Sequence, residues 1–408
     1  MQDSNSSLPA THLRGILLTF CFVTVVSLFV TAFSRHGATV TQVEENLLTV
    51  HEWGTFTSIS GPDGRAMDWL PLTGSTDLPS FVEHLVDPHF KGGLRGTVRM
   101  ETPVLYFYSP RETSVSVRVS LAKGLITEWY PHATSVSSVN ENKVMTLYDP
   151  RVHGSIHWDV VHIQPGTADD FPTDRSQNPY YAARLTSSSP LTVETTAGAQ
   201  RERFLFYRGV STFSPPLVAT VSGKGTVLLQ NQGSEDIPSV VLFERRGSRL
   251  AYRILGPLSD RASLTMPSSL DGSLPALFSD LAGILVSQGL YPDEAHAMLE
   301  TWKDSWFEEG SRVIYLLPRS FVDTVLPLQI SPSPGATQRV FVGRLELVTP
   351  ASQQAVEAAM AAKDHATLAK YSRFLEPIVR FMLTNSTDPR RTQFLEQQLE
   401  NAQSAIMR

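Results

Sequence analysis

Three glutamates, Glu52, Glu101 and Glu128, lie in apolar or aromatic surroundings, where carboxyls are poised for acid–base chemistry. Glu52 sits in V-H-E-W-G-T-F-T-S, residues 50–58. Read as a strand over residues 47–59, the alternation puts Leu48, Val50, Glu52, Gly54 and Phe56 on one face. His51, Trp53, Thr55 and Thr57 share the other. A carboxylate among Val and Phe is disfavoured in its charged form unless a cation pairs with it. Such a group can serve as a general acid or base, and the gap at Gly54 would admit a ligand. The competing expectation is a glutamate satisfied by an arginine, Arg99 for instance, that holds two strands in register. Because His51 points away from Glu52, a dyad of these neighbours needs a bulge, and Gly54 is a residue that marks one.

Other residue groups carry weaker chemistry. Seven of the eleven histidines fall between His51 and His162. Within IHWDVVHI, His157 and Asp159 share the polar face of a strand and could hold a divalent metal, although a solvated face is the stronger reading because the remaining ligands would have to come from elsewhere. Glu128-Trp129-Tyr130-Pro131-His132 sets aromatics beside ionisable groups, which suits carbohydrate recognition or hydrolysis. Trp53, Trp69, Arg99, Trp129 and Tyr130 are the candidate ligand-binding residues; Glu52, His51, Glu101 and Glu128 are the candidate catalytic ones. Paired catalytic carboxylates are defined by their separation, which a sequence does not contain. Trp302 and Trp306 share an apolar helical stripe and read as core.

The elements that position these residues are mostly strands. At 408 residues, 41% hydrophobic and 18% charged, the chain can bury more than one core. Its 27 prolines and 25 glycines suit many turns, and a net charge of -6 excludes broad attraction to nucleic acid. The single cysteine, Cys21, excludes internal disulfides, thiolate metal sites and a cysteine nucleophile from the rest of the chain. Residues 1–14 form a short tail. Residues 15–33 carry no charge and would span about 28 Å as a helix, enough for a bilayer core, so the segment reads as a single-pass anchor. Val30-Thr31-Ala32 also fits a cleavage site, which would leave a secreted or periplasmic protein.

Residues 34–46 are a polar tether. Residues 47–273 read as a β-rich, sandwich-like region. The turn Gly61-Pro62-Asp63-Gly64 predicts a hairpin over residues 50–70 carrying Trp53 and Trp69, and residues 226–255 predict a three-run meander. Residues 274–310 predict a helical hairpin insertion from the stripe Leu274, Leu277, Phe278, Leu281, Ile284 and Leu285. Strands return over 311–350, and 351–408 is a helical tail that Pro377 should divide. The fold class is thus mainly β with α additions.

Four stretches together resemble a family of uncharacterised exported bacterial proteins: VHEWGTFTS, ETPVLYFY (101–108), TWKDSWFEEGSRVIYLLP (301–318) and VFVGRLELVTP (340–350). The resemblance spans most of residues 50–350. It implies a bacterial envelope setting and brings no catalytic residue or cofactor with it. The expected protein is a membrane-tethered binding or assembly module whose partner is a glycan, a peptide or an envelope protein. The alternative is an exported hydrolase using Glu52, with His51 or a metal. The two separate on what Glu52 touches.

Overall fold

The computed structural model describes residues 47–72, 78–85, 94–137, 147–148, 152–175, 178–222, 225–267 and 269–406. The apolar segment 15–33 lies outside the described residues. Among the described residues no helix is long and apolar enough to cross a membrane.

Strand β1 (Thr49–Ile59) lies inside a nine-stranded sheet. The sheet runs β14 (Arg249–Leu255), β13 (Val240–Arg246), β16 (Gly310–Leu316), β18 (Ala336–Leu347), β1, β3 (Val98–Tyr108), β10 (Leu205–Ser211), β5 (Gly124–Tyr130), β2 (Glu83–His84). A six-stranded sheet holds β17 (Leu328–Ser331), β4 (Thr113–Ala122), β7 (His153–Ile163), β8 (Leu191–Thr195) and β9 (Gly198–Glu202), with β6 (Ser135–Ser137) also on β7. A three-stranded sheet holds β11 (Leu217–Val221), β12 (Thr226–Asn231) and β15 (Arg261–Thr265).

Two pairing expectations are corrected. The hairpin expected over residues 50–70 is confined to its turn, where Ser60 bridges Ala66 antiparallel and the Met67 amide donates to the Ile59 carbonyl at 2.9 Å; β1 itself runs parallel to β18 and antiparallel to β3. Apolar and aromatic side chains on both faces demand burial on both faces, which a central strand provides and a hairpin arm does not. Nor do residues 226–255 make one meander, because β12 belongs to the small sheet and β13–β14 to the large one. The Asn231 side-chain amide donates to the carbonyls of Glu235, Leu258 and Ser259, pinning the connection where the chain changes sheet.

The large sheet separates two cores. On one face Leu48, Val50, Phe56, Leu105, Phe107, Tyr207 and Phe341 join Val117, Val119, Ile156 and Trp158 of the six-stranded sheet, and Ala219, Val227 and Leu229 of the small one. On the other face Trp53, Val104, Tyr106, Phe206, Val340 and Ile314 pack under helices α1 (Leu274–Ser287) and α2 (Pro292–Trp306). Leu277, Leu281 and Leu285 are the buried positions of α1, and the Ser273 hydroxyl accepts from the Ala276 amide at its start. Helix α3 (Arg319–Val325) precedes β17.

The tail comprises α4 (Pro350–Ala362), α5 (His365–Tyr371), α6 (Leu375–Thr384) and α7 (Pro389–Ile406). Pro377 sits in the first turn of α6, where its missing amide costs little. Ile59, Trp69 and Val348 meet Val356, Phe374, Ile378, Met382 and Leu395 of the tail in a third core.

Bulges fix which residues share a face. Opposite the single residue Gly54, β3 carries two, Thr102 and Pro103. Thr102 adopts φ 46°, a left-handed conformation that costs about 1–2 kcal/mol in a β-branched residue. The extra residue keeps the alternation of β1 intact and reverses that of β3. The neighbouring strands β10 and β5 are irregular at the same level. In consequence Arg99 and Glu101 lie on the helix-side face, with Trp53 and not with Glu52.

Candidate functional site

Glu52 is fully buried and points into the three-sheet core. Arg339 stands directly opposite it on β18 and donates its Nε–H to Glu52 Oε2 at 2.5 Å. The Tyr207 hydroxyl donates to Glu52 Oε1. Burial, and then the adjacent Glu52 charge, push the Tyr207 phenol far above its usual range, so it remains a donor. Arg339 Nη1 donates to Asp323 at 2.7 Å, and Asp323 is half exposed. The chain Asp323–Arg339–Glu52–Tyr207 therefore runs from surface to core with both carboxylate oxygens of Glu52 occupied. Gly54 leaves no ligand gap beside it, since a Cβ there would lie 2.7 Å from the Phe341 ring.

The remaining candidates separate. Glu101 and Arg99 meet at 3.6 Å in a buried charged row on the helix-side face. Thr57 donates to Glu101 Oε2 at 2.6 Å, and Arg373, from the turn before α6, occupies Oε1. Burial alone would raise the Glu101 carboxyl; Arg373, then Arg99 and Arg344, with the Thr57 hydroxyl, outweigh it and bring it down to about 2. The row continues through Arg344, Glu346 and Arg312, whose guanidinium binds the carbonyls of Trp306, Glu308 and Glu309 and so closes the end of α2. Burial and the like charge of Arg208 lower Arg99, while Glu101 and Glu128 oppose them. The sheet itself keeps Glu52 apart from Glu101 and Glu128, which share the helix-side face near Arg99, so neither pairs with Glu52 as a second carboxylate.

The aromatic candidates are core residues. Trp53 and Tyr130 belong to the helix-side core and Trp129 to the three-sheet core, and Trp69 stacks on Phe374 at 5.9 Å. None of the four lines either cleft described below. His157 and Asp159 do touch, at 3.0 Å, on the outer face of β7. Arg118 approaches the same His157 nitrogen at 3.0 Å, placing a cation where a metal would sit. Among the described residues no group of three His, Cys, Asp or Glu side chains could hold a metal.

Sequence reasoning missed the best-formed site, which lies at the start of β1. His51 Nδ1 is 2.8 Å from Glu294 Oε2, and the Tyr108 hydroxyl donates to Glu294 Oε1 at 2.8 Å. The Tyr291 amide adds a third bond to Glu294 at 2.7 Å, and the Tyr291 ring lies 4.4 Å from the His51 ring. Glu294 read as a first-turn acid favoured by the helix dipole; in the structure it is fully buried and fixes two aromatic rings. Burial and the Glu294 charge raise the Tyr108 phenol well above its ordinary value.

Tyr108 opens onto a cleft of about 520 Å³, with Thr49 opposite it on β1. Its other walls are Pro165–Thr167 and Asp169 after β7, Ser187–Pro190 before β8, and Arg203 between β9 and β10. Arg203 is buried; its Nη1 donates to the Ser188 carbonyl at 2.6 Å, and Nη2 pairs with Asp169. A second cleft, of about 570 Å³, is lined by Arg319, Asp323, Gln329, Ser333, Thr337 and Arg339. Both volumes fall within the roughly 300–1,000 Å³ of small-ligand sites.

No family model matches the chain, and no curated protein matches it. One solved structure that matches is described as giving structural insight into host cell surface retention of a 1.5-MDa bacterial ice-binding adhesin. It is 12% identical over 67% of this chain and 67% of that one, with a TM-score of 0.14, a similarity too slight to support a shared fold or role.

Proposed function

We propose that the chain from Leu47 onward is a binding module of the bacterial envelope, tethered to the membrane by residues 15–33, whose ligand is a glycan held in the Tyr108 cleft. The two larger sheets, sharing one core, serve it as a sandwich-like scaffold. One observation carries the reading: Tyr108 and Arg203, each locked by a buried partner, stand in one cleft whose other walls are mostly Ser, Thr, Pro and Gly. A fixed aromatic ring with hydroxyls and a charged pair around it suits a hydroxyl-rich chain. Hydrolysis is disfavoured because Glu52, its intended acid, is sealed by Arg339 and Tyr207 and lines neither cleft.

The test is titration of the full chain, in detergent micelles, with a panel of oligosaccharides, alongside Ser187→Trp. Ser187 is exposed at the cleft wall, so the indole obstructs the cleft with little effect on the fold. The expected result is saturable binding that weakens at least about ten-fold in the variant, the loss of one good contact, with an unchanged melting temperature. Equal affinity in both proteins would remove the cleft as the seat.

A further inference from the structure

Arg203 occupies an unusual position in the cleft wall. Its guanidinium is about nine-tenths buried, and burying a cation is costly unless an anion faces it. The anion present is Asp169, which is 56% exposed and comes from the loop after β7. That loop is anchored independently of the pair: Arg201 donates to the Thr167 hydroxyl at 3.0 Å and to the Ala168 carbonyl at 3.1 Å. Arg203 itself is held by the Ser188 carbonyl and by Phe171, whose ring centroid is 5.4 Å from the guanidinium carbon. Its buried Nε has no hydrogen-bond partner. The cation is thus fixed and incompletely satisfied, and its partner is a solvent-facing carboxylate at the cleft.

We infer that Asp169 is an internal stand-in for a ligand carboxylate, and that the cleft takes an acidic glycan whose carboxylate replaces Asp169 on Arg203. This rests on the reading of the cleft as a glycan seat and specifies the ligand class. A ligand carboxylate accepting from Nη2, the donor that Asp169 now occupies, conserves the charge pairing while Asp169 returns to water, where an exposed carboxylate is at little cost. A neutral glycan has nothing to exchange and must leave the Arg203–Asp169 pair in place.

The experiment compares trigalacturonate with its neutral methyl ester on the full chain in detergent micelles, by calorimetric titration, for the wild type and Asp169→Asn. In the wild type one charge pair is broken as another is made, so the acid should be preferred by only a few-fold. In Asp169→Asn the competitor is gone, so affinity for the acid should rise several-fold further while affinity for the ester stays within about two-fold. Equal binding of acid and ester, or weaker binding of the acid to Asp169→Asn, would overturn the exchange and leave the glycan seat standing. If neither trisaccharide binds, the exchange and the glycan reading fall together. Asp169 is exposed, so the variant's melting temperature should match the wild type and verify that it is folded.

Discussion

Protonating Glu101 should loosen the helical tail from the β body, and the size of the effect follows from the site. Glu101 is buried at 2% exposure, and Arg373, the strongest of its attractive partners, is contributed by the tail. Its carboxyl stands at about 2 in the folded protein, against about 4.3 in an unfolded chain. At about 1.4 kcal/mol per unit, that difference is worth about 3 kcal/mol of folding stability. The folded value is the depressed one, so this stability is fully present above about pH 4.3 and is lost as the pH falls toward about 2. Glu101→Gln cannot gain or lose it. Urea unfolding of the wild type and Glu101→Gln, in steps from about pH 5 to about pH 2.5, isolates the effect because every other carboxyl titrates in both proteins. The wild type should begin about 3 kcal/mol above the variant and converge on it across that window. Parallel curves would refute the assignment of Arg373, Arg99 and Arg344 as the groups that hold Glu101 ionised.

Arg339→Met leaves buried Glu52 with Tyr207 alone and should cost about 3–5 kcal/mol, whereas Glu52→Gln leaves Arg339 on Asp323 and should cost about 1–3 kcal/mol; urea midpoints that reverse this order would contradict a structural pair. Gly54→Ala should cost about 1–3 kcal/mol by overpacking, and Phe341→Leu in the same chain should recover part of it, which thermal unfolding of the two single variants and the double variant would measure.

Much of the scaffold was legible because it depends on local periodicity. Val115, Val117 and Val119 alternate inward as the sequence implies, and the stripe of Leu277, Leu281 and Leu285 faces the core from α1. What was not legible depended on long-range register. Glu52 and Arg339 are 287 residues apart and become neighbours only because β1 and β18 pair in parallel with one particular alignment. Arg99 was a reasonable partner for Glu52 by sequence distance. It went to Glu101 because the extra residue at Thr102-Pro103 reverses the faces of β3, and a one-residue slip moves every side chain to the opposite side. Glu294 carried one local signal: it stands three residues after Tyr291 and returns a bond to that residue's amide, as a capping glutamate does. Nothing nearby indicated that its carboxylate would also take His51 and Tyr108.

The spacing of Glu52 and Gly54 then has a single physical explanation. Both lie on the face of the sheet turned to the three-sheet core, where their partners on the neighbouring strand β18, Arg339 and Phe341, are likewise two residues apart. A side chain at position 54 would occupy the space taken by the Phe341 ring, with the ring edge 2.7 Å and Pro103 Cα 3.1 Å from its Cβ. With that space left open, the ring fills it and lies 5.7 Å from the Arg339 guanidinium carbon, offering its face to the cation that neutralises Glu52. The glycine thus leaves room for the aromatic floor of an ion pair, and the bulge it faces sends the neighbouring charges of β3 to the other side of the sheet. A carboxylate that reads in sequence as an acid–base candidate on an apolar face is, by this arrangement, a register lock between two parallel strands, and it takes no part in the cleft that opens at Thr49, three residues earlier on β1.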